Sequence, residues 1–343
     1  MPQEGSTKDP CGDWAMKRRD FLKASVASAA YFSVSGLTLP PRTAQAALAN
    51  LDGFVTVDLV AEVAQKTVAT ATTGATRDVN VPVWQFRDMA APGPGRLTSG
   101  LQVRAGDVLT VNLTNSLDRP VNFVVPGLFP GPLETSPAVP PGGSATYTFR
   151  PTATGSYFYT DDVNGKIGQA MGLSGPLVVL PRGITNSVVV GGSEFSKQYT
   201  LMLSEMDSRL NTDIAAGRSF DMANYEPNYF FINGMSYPLT VSDPSTFINM
   251  KLNDLVAIRF INAGFIYYPM HFHGYHVNVV LRNRAKEAVV VSKDTVLVSV
   301  GECVDTELNV NQVGDYPMHS HYLPAVTANG VYPYGNMLLM RAV

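Results

Sequence analysis

All five histidines of this 343-residue chain fall within 51 residues, in two short stretches. One reads Tyr267-Tyr268-Pro269-Met270-His271-Phe272-His273-Gly274-Tyr275-His276, the other Gly314-Asp315-Tyr316-Pro317-Met318-His319-Ser320-His321-Tyr322. Each holds a His-x-His pair. On an extended strand alternate side chains share a face, so each pair presents two imidazoles together. Two such strands side by side bring His271, His273, His319 and His321 to one small volume. Clustered imidazoles suit a transition metal, with copper ahead of zinc in affinity. One or two copper ions are expected, with zinc the second choice. His276 falls out of phase with His271 and His273 and is expected near the site or on the surface rather than among the ligands. Met270 and Met318 face away from the imidazoles and are expected in the core.

Strands of this kind need a β scaffold, and the chain has the texture of one. Val108-Leu109-Thr110-Val111-Asn112-Leu113 alternates cleanly, and 29 Gly and 24 Pro supply turns between short strands. Helical periodicity is scarce, with a turn or two at most expected around Ile214. The chain also repeats itself. Ala105-Gly106-Asp107 through Asn115 matches Leu252-Asn253-Asp254 through Asn262, and Val124-Val125-Pro126-Gly127 matches His271-Phe272-His273-Gly274, both at an offset of 147 residues. Gly155 through Asp162 matches Gly314 through His321 with 12 more residues of offset. These matches predict an all-β protein of two homologous domains, 47–182 and 198–343, joined by a linker over 183–197.

Hydrophobic content of 45% with 15% charged residues marks a globular chain, and a net charge of −3 gives no reason to expect nucleic acid. Lys17-Arg18-Arg19-Asp20-Phe21-Leu22-Lys23, a modest Ala/Ser-rich apolar run and Ala44-Gln45-Ala46 predict a twin-arginine export signal over 1–46. Its first fifteen residues precede a more natural start at Met16, and the mature chain is expected to begin near Ala47. The expected location is the periplasm or outside the cell, with no membrane span in the mature protein. Cys11 precedes the cleavage point, so Cys303 remains alone and forms no internal disulfide.

The Gly-Asp-hydrophobic strands, Phe231-Ile232-Asn233-Gly234, Lys293-Asp294-Thr295-Val296, Gly301-Glu302 before Asp305 and the two histidine stretches resemble the multicopper oxidases. That resemblance implies two cupredoxin-like Greek-key β-sandwich domains, as in two-domain laccases and copper nitrite reductases, and a homotrimer in which one subunit's first domain faces the next subunit's second. It also defines what this chain lacks. Where the family carries the histidines and cysteine of its type 1 copper stand Tyr268, Ser320 and Ala325, and no hydroxyl or methyl replaces a thiolate ligand. Where the first domain would carry histidines stand Val124, Pro126, Thr160 and Asp162. Cys303 does not align with the missing cysteine.

The expected function is a copper-dependent oxidoreductase on a small molecule or oxygen species, with a reduced all-histidine site fed directly or by an external electron donor. A non-catalytic copper-binding or envelope scaffold protein is the first alternative, a nitrite-reductase-like enzyme the second. In a trimer, Thr160 and Asp162 of a neighbour would approach the four histidines. Asp162 is therefore the candidate ligand or proton donor.

Overall fold

The computed structural model describes residues 53–343, apart from 73–74, 91–99, 129–136 and 184. The expected export signal lies outside the described residues. The first half contains β1 (Phe54–Thr72), β2 (Ala75–Asp88), β3 (Leu101–Arg104), β4 (Val108–Asn115), β5 (Ser144–Phe149), β6 (Gly155–Thr160), α1 (Lys166–Met171) and β7 (Ser174–Leu180). The second contains β8 (Lys197–Met206), α2 (Ser208–Ala215), β9 (Tyr229–Ile232), β10 (Ile248–Met250), β11 (Leu255–Asn262) and β12 (Tyr268–Phe272). It continues through β13 (Val277–Arg282), β14 (Ala285–Lys293), β15 (Thr295–Val298), β16 (Cys303–Asn309), β17 (Gly314–Ser320) and β18 (Met337–Ala342).

Each half builds a sandwich from its own strands. In the first, the sheet β2-β1-β4-β5 stands with β3-β7-β6; in the second, β14-β13-β16-β11-β8-β9 stands with β10-β18-β17-β12-β15. The pairings repeat as the sequence does. β1 runs parallel to β4 as β8 does to β11, and β3 parallel to β7 as β10 does to β18. The matched residues do the same work in both halves. Asp107 and Asp254 each close a turn by accepting the backbone N–H three residues before them, at 2.9 and 2.8 Å. Asn115 and Asn262 each end a strand by accepting the N–H two residues on, both at 2.9 Å, while their amides bind two further carbonyls. Val124 bridges to Thr160 in the first half at the position where His271 pairs with His319 in the second.

Burial follows the period-2 pattern where one sheet face is free and departs from it between the halves. β4 turns Leu109, Val111 and Leu113 inward and its alternate residues outward. β11 is buried on both faces because its second face meets the first half. There Ala257 packs with Val178, Leu180 and Leu281, while Ile261 packs with Phe158, Met202 and Cys303. Cys303 is accordingly a buried thiol whose pKa is pushed far up by burial. The segment 183–197 is not a loose tether, since Val188 and Phe195 are buried in the same shared core. α2 starts before the turn expected around Ile214, because Asp207 caps it by accepting the Arg209 N–H. No helix among the described residues is long and apolar enough to cross a membrane.

Two buried polar groups tie the structure together. Asp305 on β16 receives the Arg259 guanidinium at 3.0 Å and, from the first half, the Ser156 backbone N–H at 3.1 Å and hydroxyl. Both members of this ion pair are fully enclosed. Glu205 on β8 accepts the Tyr268 hydroxyl at 2.5 Å and the Phe265 N–H. Burial pushes its carboxyl up from 4.5 to about 7.

Two predictions follow from these groups. Asp305→Ala strands the buried Arg259 charge and should cost about 3–5 kcal/mol in urea unfolding, whereas replacing both partners by apolar residues should restore most of it. For Glu205, between pH 4.5 and 7 the folded protein keeps a proton that the unfolded chain has released, so stability falls as pH rises through that window. The loss attributable to it is roughly 3 kcal/mol. Glu205→Gln should flatten this slope in a pH series of urea midpoints.

Candidate metal centre

The register of two strands builds the histidine cluster. β12 lies between β15 and β17, and His271 stands directly opposite both Thr295 and His319. Tyr268, Met270 and Phe272 point inward and are buried, as are Met318 and Ser320, so the alternate residues Pro269, His271 and His319 face out. Met270 and Met318 thus belong to the core, as their phase implies. The two strands carry the same run, Tyr-Pro-Met-His-x-His, from Tyr268 and from Tyr316. Their antiparallel pairing relates the runs by a local two-fold. The second histidine of each lies just beyond its strand and is held by backbone to the proline of the other. The His273 N–H donates to the Pro317 carbonyl at 3.1 Å and the His321 N–H to the Pro269 carbonyl at 2.8 Å. Proline has no N–H to return, so each strand end is pinned by a single bond. The sequence reading missed this pinning, although the repeated proline signalled it.

The four imidazoles form a four-cornered cluster on the outer face of the sheet. Ring centroids lie 4.8 Å apart for His271–His273, 5.1 Å for His273–His319, 5.4 Å for His319–His321 and 4.5 Å for His321–His271. His271 and His319 face each other across the middle at 6.0 Å. His321 is exposed, and the other three are partly covered. His276 is exposed beyond the Gly274 bend. The structure therefore brings His271, His273, His319 and His321 together.

Ring orientation is set by neighbours the sequence reading did not assign. His319 Nδ1 lies 3.1 Å from the Ser320 carbonyl, an acceptor only, so Nδ1 carries the proton and Nε2 keeps its lone pair. His271 Nδ1 lies 3.0 Å from the Thr295 hydroxyl and 4.0 Å from the Asp294 carboxylate. Burial holds His319 below the ordinary imidazole pKa, and His271 and His321 add to the effect. His321, though exposed at its rim, is lowered too, first by the partial loss of water around its ring and then by His271. Both are therefore neutral near pH 7, the form that ligates metal.

Among the described residues, no three His, Cys, Asp or Glu side chains converge on one point in a ready metal-holding arrangement. Instead the rings touch in pairs, and His273 Nε2 lies 3.0 Å from His319 Nε2. Two imidazole nitrogens on one tetrahedral zinc, with bonds of roughly 2.0–2.1 Å, stand about 3.3 Å apart. With His319 Nε2 unprotonated, the His273–His319 contact is a hydrogen bond donated by His273 Nε2–H, and moving that proton to the other ring nitrogen would leave two lone pairs at nearly the spacing of a ligand edge. The donor set fits copper or zinc.

Asp162 stands elsewhere. Its carboxylate accepts the Asn122 amide at 2.6 Å, and its backbone N–H donates to the Asn122 side-chain oxygen at 3.0 Å. Its own half supplies these partners, and among the described residues no hydrogen bond or ion pair joins it to a histidine. Thr160 is buried against the Leu173 carbonyl. Where the resemblance would put a thiolate copper site, Tyr268 is buried on Glu205, Ser320 accepts the Tyr322 N–H at 3.1 Å and Ala325 is packed in the core. Those three residues fill their space with apolar contacts and hydrogen bonds.

Comparison with known proteins places this architecture. Two multicopper oxidase family models match, one over residues 83–183 and the other over 211–332, together well over half of the chain. No curated protein sequence matches. Among solved structures, the blue copper oxidase from Nitrosomonas europaea is 25% identical with a TM-score of 0.69, covering 84% of this chain and 86% of that one. The multicopper oxidase mgLAC is 26% identical with the same TM-score and the same coverage of 84% and 86%. The copper nitrite reductase from Nitrosomonas europaea shares the fold at a TM-score of 0.62 and 18% identity, over 84% of this chain and 94% of that one. With both halves matched in order and the sandwiches superposing on those of copper enzymes, the chain belongs to the multicopper oxidase family.

Proposed function

We propose that this protein is an exported copper-dependent oxidoreductase that holds its metal on the outward histidine cluster and works without a type 1 centre. The observation that carries the reading is the cluster itself. Four imidazoles, two of them with nitrogens 3.0 Å apart, sit on a sheet face while the space of the thiolate site is packed shut by Tyr268, Ser320 and Ala325. Bound copper would supply one-electron redox chemistry and an open position for a small molecule or an oxygen species. His319 is pre-set for ligation by its Nδ1–H bond to the Ser320 carbonyl, and Thr295 steadies His271. His273 and His321 complete the donor set. Electrons enter from the substrate directly or from an external donor, since the chain has no thiolate relay beside the cluster. The exposed outer face suits a trimer in which a neighbour's Asp162 covers the histidines and donates a proton there. The twin-arginine motif in the sequence supports work in the periplasm or outside the cell.

Metal analysis of the exported, purified protein tests this. The wild type should carry about one or two copper ions per chain with no intense blue absorption. His319→Ala and His273→Ala should each lower copper affinity by about 100-fold or more, because each removes a ligand. Reductant-driven turnover of oxygen or nitrite separates an enzyme from a copper store. A wild-type protein free of transition metal would overturn the reading.

A further inference from the structure

Lys66, on β1, is the second unusual group of the molecule. It is buried to 7% exposure, its ammonium donates to the Gly234 carbonyl, and it lies 4.0 Å from the centre of the Phe231 ring. Among the described residues no carboxylate pairs with it. Removing a cation from water costs several kcal/mol unless an anion or a set of hydrogen bonds compensates, and one carbonyl and one ring face do so only in part. Lys66 also lines a cavity between the two sandwiches. The cavity is mostly apolar, with Phe231 and Met202 among its walls, and its polar groups are Lys66, Ser174, Ser204, Gln169 and Glu205. The Gln169 amide is committed to the Ala263 carbonyl at 2.8 Å. The Ser174 and Ser204 side chains make no hydrogen bond to another described residue.

From this arrangement we infer that the interdomain cavity is a binding site for a small, planar monovalent oxyanion of the carboxylate type, held by the Lys66 ammonium with the Ser174 and Ser204 hydroxyls. Charge favours a single negative charge, because Lys66 is the cavity's one cationic side chain among the described residues and has no carboxylate partner there. Size favours a small ligand. The cavity measures about 40 Å³. One water needs roughly 10–15 Å³ by this measure, so there is room for about three water-sized groups, the bulk of formate or acetate. Glu205 completes the site as a neutral acid. Burial keeps its proton on to about pH 7, so it offers a donor rather than a competing negative charge. Burial lowers Lys66 from 10.5 to about 7, a cost that a bound anion relieves. None of the four histidines lines the cavity, and the inference does not rest on the copper reading.

Thermal-shift titrations of the whole protein with sodium formate and sodium acetate, against sodium chloride at matched ionic strength, test the inference. The wild type should show a saturable rise in melting temperature with the carboxylates and none with chloride. Lys66→Met, which swaps the buried charge for an apolar chain of similar length, should stay folded and lose the response. Lys66→Gln, which keeps a donor without charge, should weaken binding by about 30-fold or more. His319→Ala should bind formate like the wild type. If either Lys66 variant fails to fold, a wild-type crystal soaked in formate should show the anion on Lys66 Nζ. A wild type without saturable response, an undiminished response in the folded Lys66 variants or a soaked crystal with no anion at Lys66 would overturn the inference.

Discussion

The antiparallel register of β12 on β17 is the constraint on which the site depends. With His271 opposite His319, the strands bury Tyr268, Met270, Phe272, Met318 and Ser320 and leave the imidazoles outside. A slip of one residue would exchange the faces, sinking histidines into the core and exposing methionine and aromatic side chains. Each large apolar side chain on the inner face contributes about 1.5–3 kcal/mol when fully buried, so the core dictates where the imidazoles stand. The geometry of the histidine cluster is therefore a by-product of ordinary packing. The polar neighbours Thr295, Asp294 and the Ser320 carbonyl only fine-tune ring orientation.

The two sandwiches show how one scaffold is kept while its chemistry changes. Turn-closing Asp107 and Asp254 and strand-ending Asn115 and Asn262 make the same bonds in both halves, because the backbone they satisfy is the same. The halves differ in the side chains carried on the matched strands. At the Val124–Thr160 bridge the first half carries no imidazole where the second carries His271 and His319, and Tyr268 of the second half is a buried phenol tied to Glu205. The Asp305 cluster then locks the halves together through Ser156, so the second sandwich is read against a fixed first one.

Much of this was legible in the sequence, for definite physical reasons. Histidine pairs two residues apart on strands must share a face, and a repeat with Asp and Asn at matched places must build the same turns. The inward phase of Met270 and Met318 was legible for the same reason. Contacts that join residues far apart in the chain were not legible. Nothing local marks Glu205 as the partner of Tyr268, which depends on how the two sheets of the second sandwich face each other, or Lys66 as a buried cation over Phe231, which depends on how the sandwiches dock. The all-buried pattern of β11 likewise reflects a second packing partner that period-2 reading of a single strand does not supply. α2 was seen only in part, because its signal lay in the Asp207 cap rather than in a long apolar period.

The central claim is that histidine nitrogens of this outer face hold copper. Electron paramagnetic resonance of the copper-loaded protein measures it most directly. A type 2 signal with nitrogen coupling from imidazoles, lost when His273 and His319 are replaced together, is the result expected from this geometry. A thiolate-type signal, or an imidazole signal unchanged in the doubly replaced protein, would contradict it.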